Sequence, residues 1–554
     1  MMKTGAQIIV ECLLEQGVDT VFGYPGGAVL NIYDALYEYR DRLRHVLTAH
    51  EQGASHAADG YARSTGRTGV VIATSGPGAT NLVTGLATAY MDSVPLVAIT
   101  GNVSVDLLGR DSFQEVDITG ITTPVTKHNF IVKRVEELAD TLREAFRIAG
   151  SGRKGPVLVD VPKDVTAAKT DYEPQQPAAI ETEEPDEAEI CRAVELLNKA
   201  RRPLIYAGGG VVSADGAAAL GDLARRGQIP VALSLMGQGV FPSDDPLCLG
   251  MIGMHGTWAA NRASQECDLL LAAGARFSDR VAGNRERFAP RAKIIHLDVD
   301  PAEFRKNVRA DLTVEGDLRK SLSRLAAGIS RKEKGWLEEI RSWIVPAIKD
   351  PGACKDNLPQ PRQVIETVAR LTEDPLVVTD VGQHQMWTAQ CFPFYRPRRF
   401  LTSGGLGTMG YGMGAAIGAQ TAFPDKQVVL FTGDGSFHMN MNELVTLASY
   451  NLPVTVIVMN NQVLGMVRQW QKVFYGSRFS ATDPHRPTDY VKLAEAFGLC
   501  GLRLERAEDT ESVLREALSA RRPVVVDCRI SPDANVLPMI PPGGTADDIM
   551  MEMA

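Results

Sequence analysis

Cysteine is scarce and scattered. The 554 residues hold eight, and no two stand as a Cys-x-x-Cys pair. That spacing excludes a disulfide framework and a zinc ribbon and fits a reducing compartment. No apolar run is long enough to span a bilayer, and Met1 to Gly17 is broken by Lys3, Glu11 and Glu15, which is wrong for a signal peptide. A soluble, cytoplasmic protein is expected; a plastid or mitochondrial form would already have lost a leader. A basic excess is missing too. The formal net charge is -9 with no long basic block, so neither nucleic acid nor a membrane is an expected partner. There is no short-period repeat and no low-complexity tract, which excludes solenoids and disordered arrays.

What is there is regular alternation. Short β-branched runs such as Val70–Ala73, Leu96–Thr100, Val157–Val161, Val428–Phe431 and Val454–Met459 are continuous in hydrophobicity. Runs of that kind belong to strands buried on both faces of a parallel sheet. Amphipathic helical stretches such as Val135–Ala149 lie between them. The fold class expected is α/β, doubly wound, with largely parallel sheets. Two segments interrupt the alternation: Glu173–Glu189, with three prolines and many acids, and Lys349–Pro361, with three prolines and a glycine. Read as linkers, they divide the chain into three domains at about 1–175, 190–345 and 360–554. Gly-rich turns follow strands in both flanking thirds, which hints at two related folds.

The last third carries the most specific motif. A strand, Gln427–Phe431, runs into Thr432-Gly433-Asp434-Gly435-Ser436; after a helical stretch near 440–450, the strand Val454–Met459 runs into Asn460-Asn461. The 24 residues between Gly435 and Asn460 suit one helix and one strand of a βαβ unit. Both polar ends then lie at carboxyl ends of parallel strands, where open α/β sheets bind ligands. Gly433 and Gly435 permit close approach of backbone to a phosphate, and a helix opening near Ser436 turns N–H groups toward the same anion. Asp434 and Asn461 are hard oxygen donors suited to Mg²⁺, which completes its shell with water and phosphate oxygens. Alone, Gly-Asp-Gly is an ordinary turn; the Asn pair one βαβ unit later makes it a metal signature.

This pattern resembles the signature of thiamine-diphosphate enzymes. The resemblance implies Asp434 and Asn461 as metal ligands, with the carbonyl of Val463 as a third. Such catalysis needs one carboxyl group placed against the cofactor's aminopyrimidine. The segment Val46-Leu47 leads to His50-Glu51-Gln52-Gly53-Ala54, which resembles the conserved glutamate segment of the pyrimidine-binding domain and assigns that role to Glu51. Family enzymes build each site from two subunits, so a homodimer or tetramer with shared active sites is implied.

Further motifs narrow the resemblance to acetolactate synthase large subunits. They are Gly23-Tyr24-Pro25-Gly26-Gly27, Thr74-Ser75-Gly76-Pro77-Gly78, Ser112-Phe113-Gln114-Glu115, Pro162-Lys163-Asp164, Ser403-Gly404-Gly405-Leu406-Gly407-Thr408-Met409-Gly410 and Gly465-Met466-Val467-Arg468-Gln469-Trp470. The resemblance places Tyr24, Pro25, Gly78, Gln383, His384, Gly407, Gly465 and Met466 at thiamine diphosphate, with Met409 as the apolar wedge that bends it. It puts Gly26 and Gln114 on the substrate side and Lys163 and Phe113 along an access channel. Arg280 would bind the acceptor's carboxylate, and Trp470 would select its side chain. The middle third resembles the family's FAD domain, with Arg153, Gly208, Gly209, Gly210, His255, Gly274, Arg276, Asp298 and Asp317 around the flavin. No Gly-x-Gly-x-x-Gly follows a strand there, so a Rossmann reading does not stand on sequence alone.

The activity implied is decarboxylation of pyruvate and ligation of the remaining two-carbon unit to a second pyruvate, giving 2-acetolactate, or to 2-oxobutyrate, giving 2-aceto-2-hydroxybutyrate. These products open branched-chain amino-acid biosynthesis. A small regulatory subunit is a further implied partner. Two sister readings stay open at this point: a FAD-independent catabolic acetolactate synthase and a pyruvate oxidase-like enzyme. Glyoxylate carboligase lacks the glutamate and is disfavoured by Glu51, and a non-catalytic scaffold is disfavoured by the presence of Glu51, Asp434 and Asn461 together.

Overall fold

The structure is a computed structural model that describes residues 1–333, 335–344 and 357–552. Most of the second expected linker, Lys349–Pro361, lies outside the described residues. Three six-stranded sheets carry the fold, and every strand pair within them is parallel. The strands are continuous apolar runs because helices cover both faces: every residue of Leu96–Asn102, Pro156–Pro162 and Val454–Asn460 is buried. Among the described residues all seven cysteines are free, and no helix is long and apolar enough to cross a membrane.

The first and last sheets have the same strand order. In the first, the order across the sheet is Arg44–Leu47, Thr20–Tyr24, Gly69–Ala73, Leu96–Asn102, Pro156–Pro162, His128–Ile131. In the last it is Phe400–Leu401, Leu376–Thr379, Val428–Gly433, Val454–Asn460, Val524–Arg529, Cys500–Leu504. Numbered within each sheet, both read 2-1-3-4-6-5, so the two flanking folds are related. The central sheet reads 3-2-1-4-5-6, from Cys248–Met251 through Pro203–Ala207 and Leu269–Ala273 to Leu312–Glu315. That is the order of doubly wound dinucleotide-binding sheets, reached here without the glycine fingerprint.

The two flanking sheets share a core. The helix Glu51–Thr65 lies on the helix Tyr411–Ala422 so closely that side chains cannot intervene. A Cβ on Gly418 would stand 1.9 Å from the Ala57 carbonyl oxygen, and one on Gly60 would stand 2.3 Å from that of Ala415. One hydrophobic cluster therefore runs from Phe22 and Val71, through Ala57, Met413 and Ala415, to Leu430 and Val456. The segment between Asp171 and Glu187 forms no helix or strand. It does more than link domains, since Ile180, Glu181, Thr182 and Glu183 wall the cleft described next.

Candidate active site

Each sheet places its polar motif at the switch point, where neighbouring strands send their connections in opposite directions and a crevice opens. In the last domain the crevice lies between the ends of Leu376–Thr379 and Val428–Gly433. Gly433 is extended and caps a helix that opens at Asp434 itself, two residues earlier than the sequence suggested. The carboxylate is thus in a helix's first turn, where the dipole favours negative charge. Burial nevertheless pushes the Asp434 carboxyl up to about 6, against the lowering effect of backbone hydrogen bonds from its own amide and that of Asn461. Asn461, at the end of the adjacent strand, donates from Nδ2 to Gln383 Oε1 at 3.3 Å and accepts the Val463 N–H at Oδ1 at 3.2 Å. Gln383 is itself fixed, donating to Gln469 Oε1 at 3.0 Å and to the Ala534 carbonyl at 2.9 Å. His384 is held neutral, its pKa pushed down to about 3 by burial, and its buried Nε2 has no hydrogen-bond partner among the described residues.

These residues wall one cleft of about 1480 Å³. Gly407, Met409, Gly433, Gly435, Ser436 and Val463 line it, with Gly465, Met466 and Trp470 beyond. Met409 points its Cε toward Gly435, 3.7 Å from where a Cβ on that glycine would sit. Ser436 Oγ donates to the Val381 carbonyl at 3.0 Å, which ties the helix start to the neighbouring strand end.

The cleft continues into the central domain. Gly208, Gly209, Gly210, Gly274 and Arg276 lie at that sheet's switch point and line it. The glycines are required first by each other: a Cβ on Gly208 would stand 2.2 Å from the Gly274 carbonyl oxygen, and Gly274 has φ +56. Further along the wall, Asp298 accepts the Asp300 amide at 3.0 Å, and Asp317 caps a helix by accepting the Lys320 amide at 2.9 Å. Arg153 reaches across from the first domain, pairing with Asp300 at 3.2 Å and Glu303 at 2.6 Å. His255 also lines the cleft, its pKa lowered to about 4 by burial. Arg280 sets its Cζ 5.7 Å from the Trp470 ring centroid, which brings together the two residues singled out for the acceptor.

A second cluster forms at the first domain's own switch point. Glu51 opens its helix and is buried, and Asn81 Nδ2 donates to its Oε2 at 2.9 Å. A Cβ on Gly78 would stand 3.2 Å from Glu51 Oε1, and one on Gly26 would stand 2.5 Å from Thr74 Cβ. Tyr24 and Pro25 lead into this turn and are exposed. Gln114 lies behind Gly76, with φ +60, while Phe113 is 88% exposed and Lys163 stands on the surface. Glu51, Gly26, Gly78, Gln114 and Lys163 are absent from the wall of the large cleft. Sequence reasoning gave no role to Gln469, which fixes Gln383, or to Lys154 and Asp92, which line that cleft; their parts are set by contacts with residues distant in sequence, which no linear motif records.

Three family models match in order along the chain. They are the N-terminal TPP binding domain of thiamine pyrophosphate enzymes over residues 3–121, their central domain over 190–325 and their C-terminal TPP binding domain over 380–528. The acetolactate synthase large subunit of Parasynechococcus marenigrum is 48% identical, the match covering 98% of this chain and 90% of the relative. The acetolactate synthase isozyme 2 large subunit of Escherichia coli is 46% identical, over 99% of this chain and 100% of the relative. A probable acetolactate synthase large subunit of Methanocaldococcus jannaschii is 46% identical over 99% and 95%. The chain belongs to the acetolactate synthase large subunits, within the thiamine-diphosphate enzymes.

The cofactors of this family fit the residues present. Among the described residues no group of three His, Cys, Asp or Glu side chains could hold a metal. A cation at Asp434 must therefore draw on amide and carbonyl oxygens and on ligand phosphates, which is the habit of Mg²⁺. Among the described residues Asp434 makes no direct ion pair, Arg486 acting on its buried carboxylate only from a distance, and the orphaned Nε2 of His384 faces the same cleft. A diphosphate and its metal satisfy both. The cleft exceeds the roughly 300–1,000 Å³ of a single small-molecule site, and its central-domain arm, with its glycine turn and Arg276, suits a second, dinucleotide-sized ligand such as FAD.

Proposed function

We propose that the chain is the catalytic large subunit of a biosynthetic acetolactate synthase, acting on pyruvate alone or on pyruvate with 2-oxobutyrate. The observation that carries this reading is the juxtaposition of Arg280 and Trp470 in the wall of the same cleft that Asp434 and Asn461 line. Bound thiamine diphosphate supplies a carbon nucleophile and an electron sink for decarboxylation and carbon–carbon bond formation. The chain's own residues do the rest. Asp434, Asn461 and the Val463 carbonyl hold the metal, and Gln383 fixes the Asn461 amide. Glu51 holds a proton at the cofactor's pyrimidine, its carboxyl group steadied by Asn81. Arg280 takes the acceptor's carboxylate in its planar fork, while Trp470 covers the acceptor's methyl or ethyl group.

Glu51 and its glycines line a different surface from the Asp434 cleft of the same chain, which supports a site completed by a second copy, in a homodimer or tetramer. The relatives' designation as large subunits supports a small regulatory partner as well. Incubation with pyruvate, Mg²⁺, thiamine diphosphate and FAD should yield 2-acetolactate without net flavin reduction. Acetaldehyde or acetate as the main product, or turnover coupled to flavin reduction, would overturn the reading. Undiminished activity in flavin-free enzyme would favour the catabolic type.

A further inference from the structure

Met409 sits on a loop closed internally by a hydrogen bond from the Thr408 amide to Ser403 Oγ at 3.0 Å. Leu406 and Gly407 at its tip are exposed, and Gly407 and Gly410 have φ +71 and +87. Its first turn is nevertheless pinned by the first domain. The helix Val83–Asp92 ends in a fully buried carboxylate. Asp92 Oδ1 accepts the Gly405 amide at 2.7 Å, and Oδ2 accepts the Gly404 amide at 3.0 Å. Two consecutive N–H groups turned to one side form an anion-binding pair, and here the anion comes from another domain. Arg63 balances it, donating Nη2 to Asp92 Oδ2 at 2.9 Å and Nε to Asp59 Oδ1 at 2.5 Å. Asp59 Oδ1 also accepts the hydroxyl of Tyr411 at 2.8 Å, so the same ion cluster grips the chain beyond Met409. Between these points Thr88 and Thr408 share a buried hydroxyl contact of 2.7 Å.

We propose that Asp92 is a positioning residue, setting the height at which the Gly404–Thr408 loop presents Met409 above Gly435. The proposal rests on the reading of Met409 as the wedge that bends thiamine diphosphate. A buried charge spent on two loop amides is costly unless fully paired, and all of its acceptor capacity goes to Arg63 and this loop. The loop's composition follows from it: a Cβ on Gly405 would stand 2.8 Å from Asp92 Oδ1.

The test is a double-mutant cycle on the holoenzyme with Asp92→Asn and Met409→Ala. Asp92→Asn should lower kcat about tenfold while the KM for thiamine diphosphate moves less than about threefold. It should also alter the near-ultraviolet circular dichroism of the bound cofactor, which reports how its rings face each other. In cofactor-free protein, hydrogen exchange at the Gly404 and Gly405 amides should quicken by about tenfold. In the Met409→Ala background, Asp92→Asn should add less than about threefold in kcat. Gly405→Ala, whose added carbon would push the loop away from Asp92 Oδ1 while every charged side chain is kept, should reproduce the pattern and decides the matter if Asp92→Asn does not fold. Unchanged kcat and dichroism in Asp92→Asn would overturn the proposal. So would fully multiplicative effects with an impaired Met409→Ala, which would leave the wedge reading standing. A Met409→Ala enzyme with normal kcat and dichroism would instead overturn the wedge reading itself.

Discussion

Asp434 answers two opposed demands. Burial disfavours its charge, while metal ligation requires it. With the folded carboxyl at about 6 and the unfolded one near 3.8, the folded state keeps a proton between those values that the unfolded state has released. The stability this group contributes to cofactor-free protein is therefore complete below about pH 3.8 and is lost as pH rises through 6. Asp434→Asn should flatten that slope in thermal melts of the cofactor-free protein while abolishing tight Mg²⁺ binding. In the parent protein, Mg²⁺ affinity should rise with pH through the same window, and calorimetric titrations at pH 5 and 7 would show it. Equal affinity at both would contradict the assignment. Arg280 and Trp470 act on the acceptor. Arg280 is 61% exposed, and its contact with Asp279 at 3.4 Å is a weak surface pair, so its fork is free for a carboxylate. Trp470→Leu should reduce preference for 2-oxobutyrate over pyruvate by about fivefold, the worth of roughly one buried methylene. Arg280→Lys should impair both acceptors. A competition assay with both oxo acids reads the ratio, and an unchanged ratio in Trp470→Leu refutes the selectivity role.

At the scale of elements, strands were legible and helix ends were not. Val428 to Phe431 and Val454 to Met459 announce themselves because burial on both faces leaves no polar alternation to confuse them. The stretch expected as one helix near 440–450 is instead a helix, Asp434–Asn440, a 3₁₀ turn, Met441–Glu443, and a second helix, Leu444–Ser449. The break has a tertiary cause. Glu443 is buried there and accepts the amides of Ala49 at 3.1 Å and His50 at 3.0 Å, just before Glu51. No local propensity encodes a partner almost four hundred residues away. The crossing of Glu51–Thr65 with Tyr411–Ala422 was equally hidden, because its glycines look like flexibility and serve as contact. Gly418→Ala should lower stability by about 1–3 kcal/mol through overpacking, since the added carbon meets the Ala57 carbonyl. Denaturant unfolding of the cofactor-free protein would measure it. A neutral result would mean that the two helices separate at no cost.

At the scale of the whole molecule, motifs revealed the chemistry but not how one chain distributes it. The glycines at 208–210 gave no dinucleotide fingerprint because Ser213 stands where the third glycine would, yet Gly208 and Gly210 pack on Gly274 and the sheet around them has the 3-2-1-4-5-6 order. Glu51 and Asp434 could be named from sequence, but nothing in a linear motif says that they face different surfaces. In the fold, Glu51 stands with Asn81 and Gly78, while the Asp434 cleft takes its first-domain wall from Asp92, Arg153 and their neighbours. Two chains related by a two-fold axis can bring one chain's Glu51 to the other's Asp434. Complementation tests this. Glu51→Gln and Asp434→Ala subunits should each lose most turnover as homodimers. Co-expressed in equal amounts, half of the dimers would be mixed, and each mixed dimer would hold one site with both residues intact and one with neither. Activity should then recover to about a quarter of the parent level, and to about half in mixed dimers purified with two different tags. If Glu51 and Asp434 of the same chain served one site, every site in every mixture would carry a defect and no activity would return.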